Sequence, residues 1–323
     1  MNFLMKKRTH VALISAEPYP FSNDGGGASA VRVLPESLSR LGYEVSLITP
    51  KYRRPAIEAL ALSPVLPRFV VPLGSDKVTA AVWKAEAAVS PALPDDANAD
   101  SEPPARRFPV YFIDNAKYFG RERIFGSENA PYPDNDERFT FFCRAALEFL
   151  RKAGIRVDIL HCHDWPAALV PLLLRTQYPS RNPLSKTASV LTVHDPAAQG
   201  EFPPESLALT GLSWEFFTPD RLALNRKFNF VKAGFLFADA VCAGDAAAAE
   251  AIRTGASGAE LAATLERRKR EAGEDLEKGK KGRKSPDDGA ASRFECAAPK
   301  SAGDVAEIYQ QALKSRRGES HVG

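Results

Sequence analysis

Short apolar runs alternate with helix-length amphipathic stretches along most of this chain, and that alternation constrains the fold more than any other feature. Residues 11–15 form the first apolar run, Val11, Ala12, Leu13 and Ile14 closing on Ser15. A run with no polar alternation suits a strand covered on both faces, which is the habit of parallel sheets. Ala28, Val31, Leu34, Leu38 and Leu41 then keep helical spacing, with Pro35 marking a kink or a helix start and Gly42 a C-cap. Residues 44–49 read as the second strand, so the chain opens on a β-α-β unit whose first crossover carries Gly25, Gly26 and Gly27. Further strands are predicted over 109–114, 157–160, 189–193 and 240–242, and helices over 134–153, 166–178 and 226–237. This order predicts an α/β fold with a doubly wound, mainly parallel, Rossmann-like sheet.

Two stretches fit the pattern less well. Residues 55–107 mix short β-like runs, 68–73 and 79–83, with a Pro/Asp/Ala-rich segment over 90–105 that reads as a surface insertion or mobile loop. Beyond Asp245 apolar residues thin out. Only nine of the 78 residues from 246 to 323 are Leu, Ile, Val or Phe, below the roughly 20% that separates globular from disordered composition. Residues 266–284 read as a solvated helix entering a charged linker, and 305–313 as one more short helix. The expected division is therefore a Rossmann-like domain over 9–245 and a charged helical or disordered tail over 246–323, with no second α/β domain.

Composition removes several functional classes. Lys and Arg number 43 against 40 Asp and Glu, a net charge of +3, so neither nucleic acid nor an anionic membrane is called for. Cys143, Cys162, Cys242 and Cys296 are widely spaced with no CxxC pair, which excludes a zinc ribbon and suits a reduced, cytoplasmic protein. No stretch of ~18 apolar residues predicts a membrane span.

Three motifs carry chemistry. The glycine run follows the first strand, where backbone N–H groups at a helix N-terminus can meet a phosphate; neither a Walker loop nor GxGxxG is present. His161-Cys162-His163-Asp164-Trp165 follows the strand expected at 157–160, and His194 follows the one at 189–193. Ligands of open parallel sheets bind outside the carboxyl ends of the strands, so Gly25–Gly27, Asp164 and His194 can share one edge despite their separation in sequence. Plainer readings stand beside these. His161 can be a packed strand-end residue, Trp165 a core residue, and Asp164 the N-cap of the next helix. His-x-His-Asp offers metal-ligand chemistry, but further ligands at convincing spacing are missing, and no metal is expected.

The stretch from Glu17 to Gly27, Glu-Pro-Tyr-Pro-Phe-Ser-Asn-Asp-Gly-Gly-Gly, resembles the N-terminal signature of bacterial glycogen and starch synthases, close to Tyr-Pro-x-x-Lys-Thr-Gly-Gly-Leu-Ala-Asp. The segment His194-Asp195-Pro196-Ala197-Ala198-Gln199-Gly200 is similar to that family's His-Asn-Leu-Ala-Tyr-Gln-Gly, and matches extend over about residues 10–243. The resemblance implies the N-terminal half of a two-lobed (GT-B) glycosyltransferase that moves glucose from ADP-glucose to an α-1,4-glucan with retention, without cofactor or metal. It implies sugar contacts from His194 and Asp164, and a donor site built by Gly25, Gly26, Gly27, Asn23 and Gln199. Asn23 and Asp24 stand where the family has lysine and threonine. Loss of one charge-assisted contact to the diphosphate costs ~1.5–3 kcal/mol, or roughly one to two orders of magnitude in affinity. The usual entry into the second lobe is also missing after Gly244-Asp245. Transfer is therefore expected to be impaired in this chain alone and to need a partner chain that supplies a second lobe. The alternative is a non-catalytic glucan-binding or regulatory module derived from a synthase.

Overall fold

The computed structural model describes residues 8–18, 20–21, 28–88, 107–127, 130–256, 258–277 and 299–320. The segment expected to form an insertion, 90–105, and the glycine run with Asn23 lie outside the described residues.

The first half of the chain contains β1 (His10–Ile14), α1 (Ala28–Arg40), β2 (Glu44–Pro50), α2 (Pro55–Glu58), β3 (Ser63–Leu73), β4 (Asp76–Ala88), β5 (Arg107–Asp114), α3 (Ala116–Phe119) and α4 (Asn135–Lys152). The second half contains β6 (Ile159–His163), α5 (Asp164–Ala167), α6 (Leu169–Gln177), β7 (Ala188–Val193), β8 (Glu201–Phe202), β9 (Ala223–Leu224), β10 (Lys227–Asn229), α7 (Phe230–Phe237) and β11 (Ala240–Ala243). Three helices follow: α8 (Ala246–Thr254), α9 (Ala259–Glu277) and α10 (Ala302–Ser320).

Eight strands form one sheet in the order β11-β7-β6-β1-β2-β5-β4-β3. The six from β11 to β5 are parallel, whereas β4 and β3 continue the sheet as an antiparallel hairpin. The chain lays β2 and β5 on one side of β1, then crosses to place β6, β7 and β11 on the other. Winding therefore reverses between β1 and β6, and in such sheets the reversal opens a crevice beyond the carboxyl ends of the strands.

Local chemistry fixes these elements. Every residue of β1, β6, β7 and β11 is buried, as central parallel strands with both faces covered require. Helix α1 ends where Gly42 takes a φ of 90°. There the Tyr43 N–H donates to Leu38 O and the Gly42 N–H to Ser39 O, both at 3.1 Å, the paired bonds of a Schellman stop. One face of α4 packs Phe139, Phe142 and Phe149 into the core beside Phe119 and Tyr118, each such ring contributing about 1.5–3 kcal/mol by burial.

Several predicted elements shift. Within 55–107, hard to read in sequence, residues 63–88 form the β3–β4 hairpin. Its outer strand holds Pro64, Pro67 and Pro72, tolerable because β3 is at the sheet edge and one side of its ladder needs no donors. The helix expected from residue 226 begins at Phe230, with Asn229 capping the Lys232 N–H at 2.8 Å; residues 227–229 belong to β10 instead. The strand expected at 157–160 lies later and takes in His161, Cys162 and His163.

The charge-rich segment after Asp245 does not stay clear of the core. Its few apolar residues Ile252, Leu261, Leu265, Val305, Ile308 and Leu313 are all buried. Arg268, expected on a solvated helix, is buried too; it donates to Phe235 O and, at 2.6 Å, to Ala238 O, satisfying carbonyls at the C-terminal end of α7. Helix α10 lies against β7, β11 and α1.

Candidate functional site at the sheet switch point

Alternation along β6 sends His161 and His163 to one face of the sheet and Cys162 to the other. His161 is locked. Its Nδ1 meets the Tyr309 hydroxyl of α10 at 2.7 Å and its Nε2 meets Thr192 Oγ1 of β7 at 2.7 Å. Burial, with a smaller effect from the nearby His194, lowers the His161 pKa to about 3, so this imidazole is neutral. His163 packs on His161 with ring centroids 4.3 Å apart. It too is held well below the usual histidine range, by burial and then by the two neighbouring imidazoles.

Asp164, directly after β6, occupies the left-handed region with φ 58°. That conformation costs most non-glycine residues about 1–2 kcal/mol, and Asp tolerates it through local hydrogen bonding. The reading of Asp164 as an N-cap does not hold. His163 occupies the N-cap position of α5, with no side-chain capping bond there. The Asp164 Oδ1 instead reaches across to the next strand and accepts from the backbone N–H of His194 at 2.7 Å and of Asp195 at 3.4 Å. Burial raises its pKa, while the His194 imidazole and the two N–H groups oppose that rise.

His194 begins the loop after β7. Its Nε2 is 3.2 Å from His163 Nδ1, and its Nδ1 rests against Gly244 at the end of β11. A Cβ at residue 244 would lie 2.2 Å from that nitrogen, so any side chain there would displace the imidazole. The loop over 194–200 is braced from within. The Ala197 N–H donates to Asp195 Oδ1 at 2.9 Å. Gln199 is buried, its amide donating to Pro196 O at 3.2 Å and accepting from Asn229 Nδ2 at 2.9 Å. Gly200, at φ 64°, passes so near Trp165 that a Cβ would meet its ring at 2.7 Å. Trp165 itself packs among Phe125, Phe139, Phe202 and Phe230.

The fold thus joins Asp164 and His194 at adjacent strand ends. It places Gln199 in the same loop with its amide turned to Pro196 and Asn229. Strand β1 ends beside them, Ile14 pairing with Cys162; Asn23, Gly25, Gly26 and Gly27 lie outside the described residues. Two participants escaped the sequence reading. His163 was hidden by ending the strand at Leu160, although its spacing from His161 already put the two on one face. Gly244 stands out in the sequence only as the point, with Asp245, after which the family's usual entry into the second lobe is missing. Among the described residues no three His, Cys, Asp or Glu side chains are grouped so as to hold a metal ion.

A Rossmann-like sheet with a polar cluster at its switch point defines the class: a doubly wound α/β domain, a class whose ligands bind at the carboxyl edge of the sheet. Within that class the chain belongs to the starch synthase catalytic domain family, which matches residues 10–267. It is 37% identical over 261 residues to the glycogen synthase of Thermodesulfovibrio yellowstonii, covering 80% of this chain and 51% of that protein. To glycogen synthase 2 of Geobacter sulfurreducens it is 34% identical over 266 residues, covering 82% and 50%. The solved catalytic domain of starch synthase IV from Arabidopsis thaliana, bound to ADP and acarbose, superposes with a TM-score of 0.67 at 27% identity, over 80% of this chain and 50% of that one. The chain spans about half the length of the curated relatives it matches.

Proposed function

We propose that this chain forms the N-terminal lobe of an α-glucan synthase, presenting one wall of a site that transfers glucose from ADP-glucose to an α-1,4-glucan with retention of configuration. The juxtaposition of Asp164 and His194 at the switch point carries the reading, and membership of the starch synthase family supports it. In this reading His194 and the second carboxylate oxygen of Asp164, which takes neither backbone bond, face the sugar. Gly25, Gly26 and Gly27 offer N–H groups to the diphosphate, with Asn23 alongside, while Gln199, its amide held by Pro196 and Asn229, braces the loop after β7 rather than meeting the donor. The chemistry is electrostatic, stabilising a leaving diphosphate and a cationic sugar, and it needs a second lobe. The lobe proper covers residues 9–245, with the helices of 246–323 added onto it. A cytoplasmic setting fits three buried cysteines outside any disulfide, Cys143, Cys162 and Cys242; among the described residues no helix is long and apolar enough to cross a membrane.

Asn23 favours a second reading, glucan binding without turnover, because it stands where the family pattern has the cation that meets the diphosphate. Calorimetry of the full chain with ADP-glucose and, separately, with a maltooligosaccharide tests both. ADP-glucose binding that disappears in His194→Ala supports the donor site. Glucan binding alone supports the second reading, and binding of neither overturns both.

A further inference from the structure

We propose that His163 is a positioning residue that fixes the tautomer of His194: His163 donates its Nδ1–H to His194 Nε2, so His194 carries its own proton on Nδ1 and offers that N–H to a sugar oxygen.

Geometry comes first. The two imidazole planes lie within 6° of each other, with centroids 5.5 Å apart and facing nitrogens at 3.2 Å. Coplanar rings at that centroid separation meet edge to edge rather than face to face, which aims the N–H of one along the lone pair of the other.

Proton placement follows from burial. His163 is 2% exposed, and its Nε2 has no hydrogen-bond partner among the described residues. A neutral imidazole owns one N–H and one lone pair. A proton on Nε2 would leave a buried donor orphaned, whereas a proton on Nδ1 leaves only a lone pair unused there. Orphaned buried N–H groups are the rarer and costlier case. His163 therefore donates, and His194 Nε2 accepts. Which nitrogen of a histidine is protonated is set by the bond the other one makes, so the His194 proton sits on Nδ1.

The surroundings hold this arrangement in place. His161, itself tied to Tyr309 and Thr192, backs His163. Asp164 pins the His194 backbone. Glycine at 244 leaves room where a Cβ would lie 2.2 Å from Nδ1. The ligand atom matched to His194 is accordingly a hydrogen-bond acceptor, such as a hydroxyl oxygen of the transferred sugar.

Only the identity of that ligand rests on the proposed function; the tautomer is a property of the free protein. The test is a long-range proton–nitrogen NMR spectrum of the full chain labelled with nitrogen-15 histidine, with the His194 signals assigned by their loss in His194→Gln. A protonated Nδ1 and a bare Nε2 at His194 are expected. A protonated Nε2 in the wild type overturns the proposal. His163→Asn places an amide N–H near the lost Nδ1 and is expected to retain the tautomer, whereas His163→Leu releases it. Affinity for ADP-glucose should fall about tenfold in His163→Leu and stay within about threefold in His163→Asn. Equal losses in the two variants would reduce His163 to a packing role. If the wild type binds no ADP-glucose, the proposed function falls while the spectrum still decides the tautomer, even where a variant fails to fold.

Discussion

Replacing Asp164 separates its backbone role from its charge. In Asp164→Ala the His194 N–H, held at 2.7 Å, loses its acceptor, and an orphaned buried donor costs about 1–3 kcal/mol. Alanine must also hold φ near 58°, at a cost of about 1 kcal/mol more than a residue with a short polar side chain. The expected destabilisation is about 2–4 kcal/mol. Asp164→Asn retains an acceptor oxygen and tolerates the left-handed region, so its cost at neutral pH stays below about 1 kcal/mol. The charge gives this comparison a pH dependence of known sign. Burial raises the Asp164 pKa above its ordinary value, so the folded state binds the proton more tightly than the unfolded chain. That contribution is complete below the unfolded pKa of ~3.9 and is lost as pH rises through the folded value. The wild type should therefore lose ground to Asp164→Asn as pH rises above about 4. Urea unfolding followed by tryptophan fluorescence at several pH values measures both effects. Equal losses in Ala and Asn would refute the backbone role, and an Asn variant that falls further behind as pH rises would refute the assigned effect of burial.

His161, neutral with a pKa of about 3, contributes stability that is complete above its unfolded pKa of ~6.5 and lost on acidification, at about 1.4 kcal/mol per pH unit between roughly pH 6 and 4. His161→Gln should remove about one proton's worth of that slope in urea unfolding, and an unchanged slope would contradict its burial as a neutral group. Gly200→Ala meets Trp165 at 2.7 Å while holding φ 64°, so a loss of about 2–4 kcal/mol is expected; an unshifted urea midpoint would show that the loop over 194–200 is not docked this way. Tyr309→Phe removes the hydroxyl bonded to His161 at 2.7 Å. It should cost about 1–2 kcal/mol and raise amide exchange along α10 by about tenfold, and unchanged protection would mean that packing alone secures the helix.

What could be read in advance follows from which forces are local. Strands such as β1, β7 and β11 are buried on both faces, so their continuous apolar runs declare them without knowledge of their neighbours. From those strands the doubly wound order follows, and with it the shared edge of Asp164 and His194. The β3–β4 hairpin was obscured because three prolines argue against a strand unless its position at the sheet edge is known, and position is a tertiary fact. The β9–β10 hairpin was missed for a related reason. Its turn residues Asn225 and Arg226 both have positive φ, at 49° and 62°, yet arginine stands where the usual glycine would announce such a turn. Residues 246–323 show the limit of composition as a guide. Six of their few apolar side chains are spaced to meet the sheet and its helices, and Arg268 is buried because carbonyls at the end of α7 need donors, which no average over 78 residues reveals. The site divides along the same line. Residue types at strand ends locate the cluster. The work of Asp164, His163 and Gly244 depends on a φ angle, an orphaned nitrogen and an absent Cβ, none of which exists until β6, β7 and β11 are side by side.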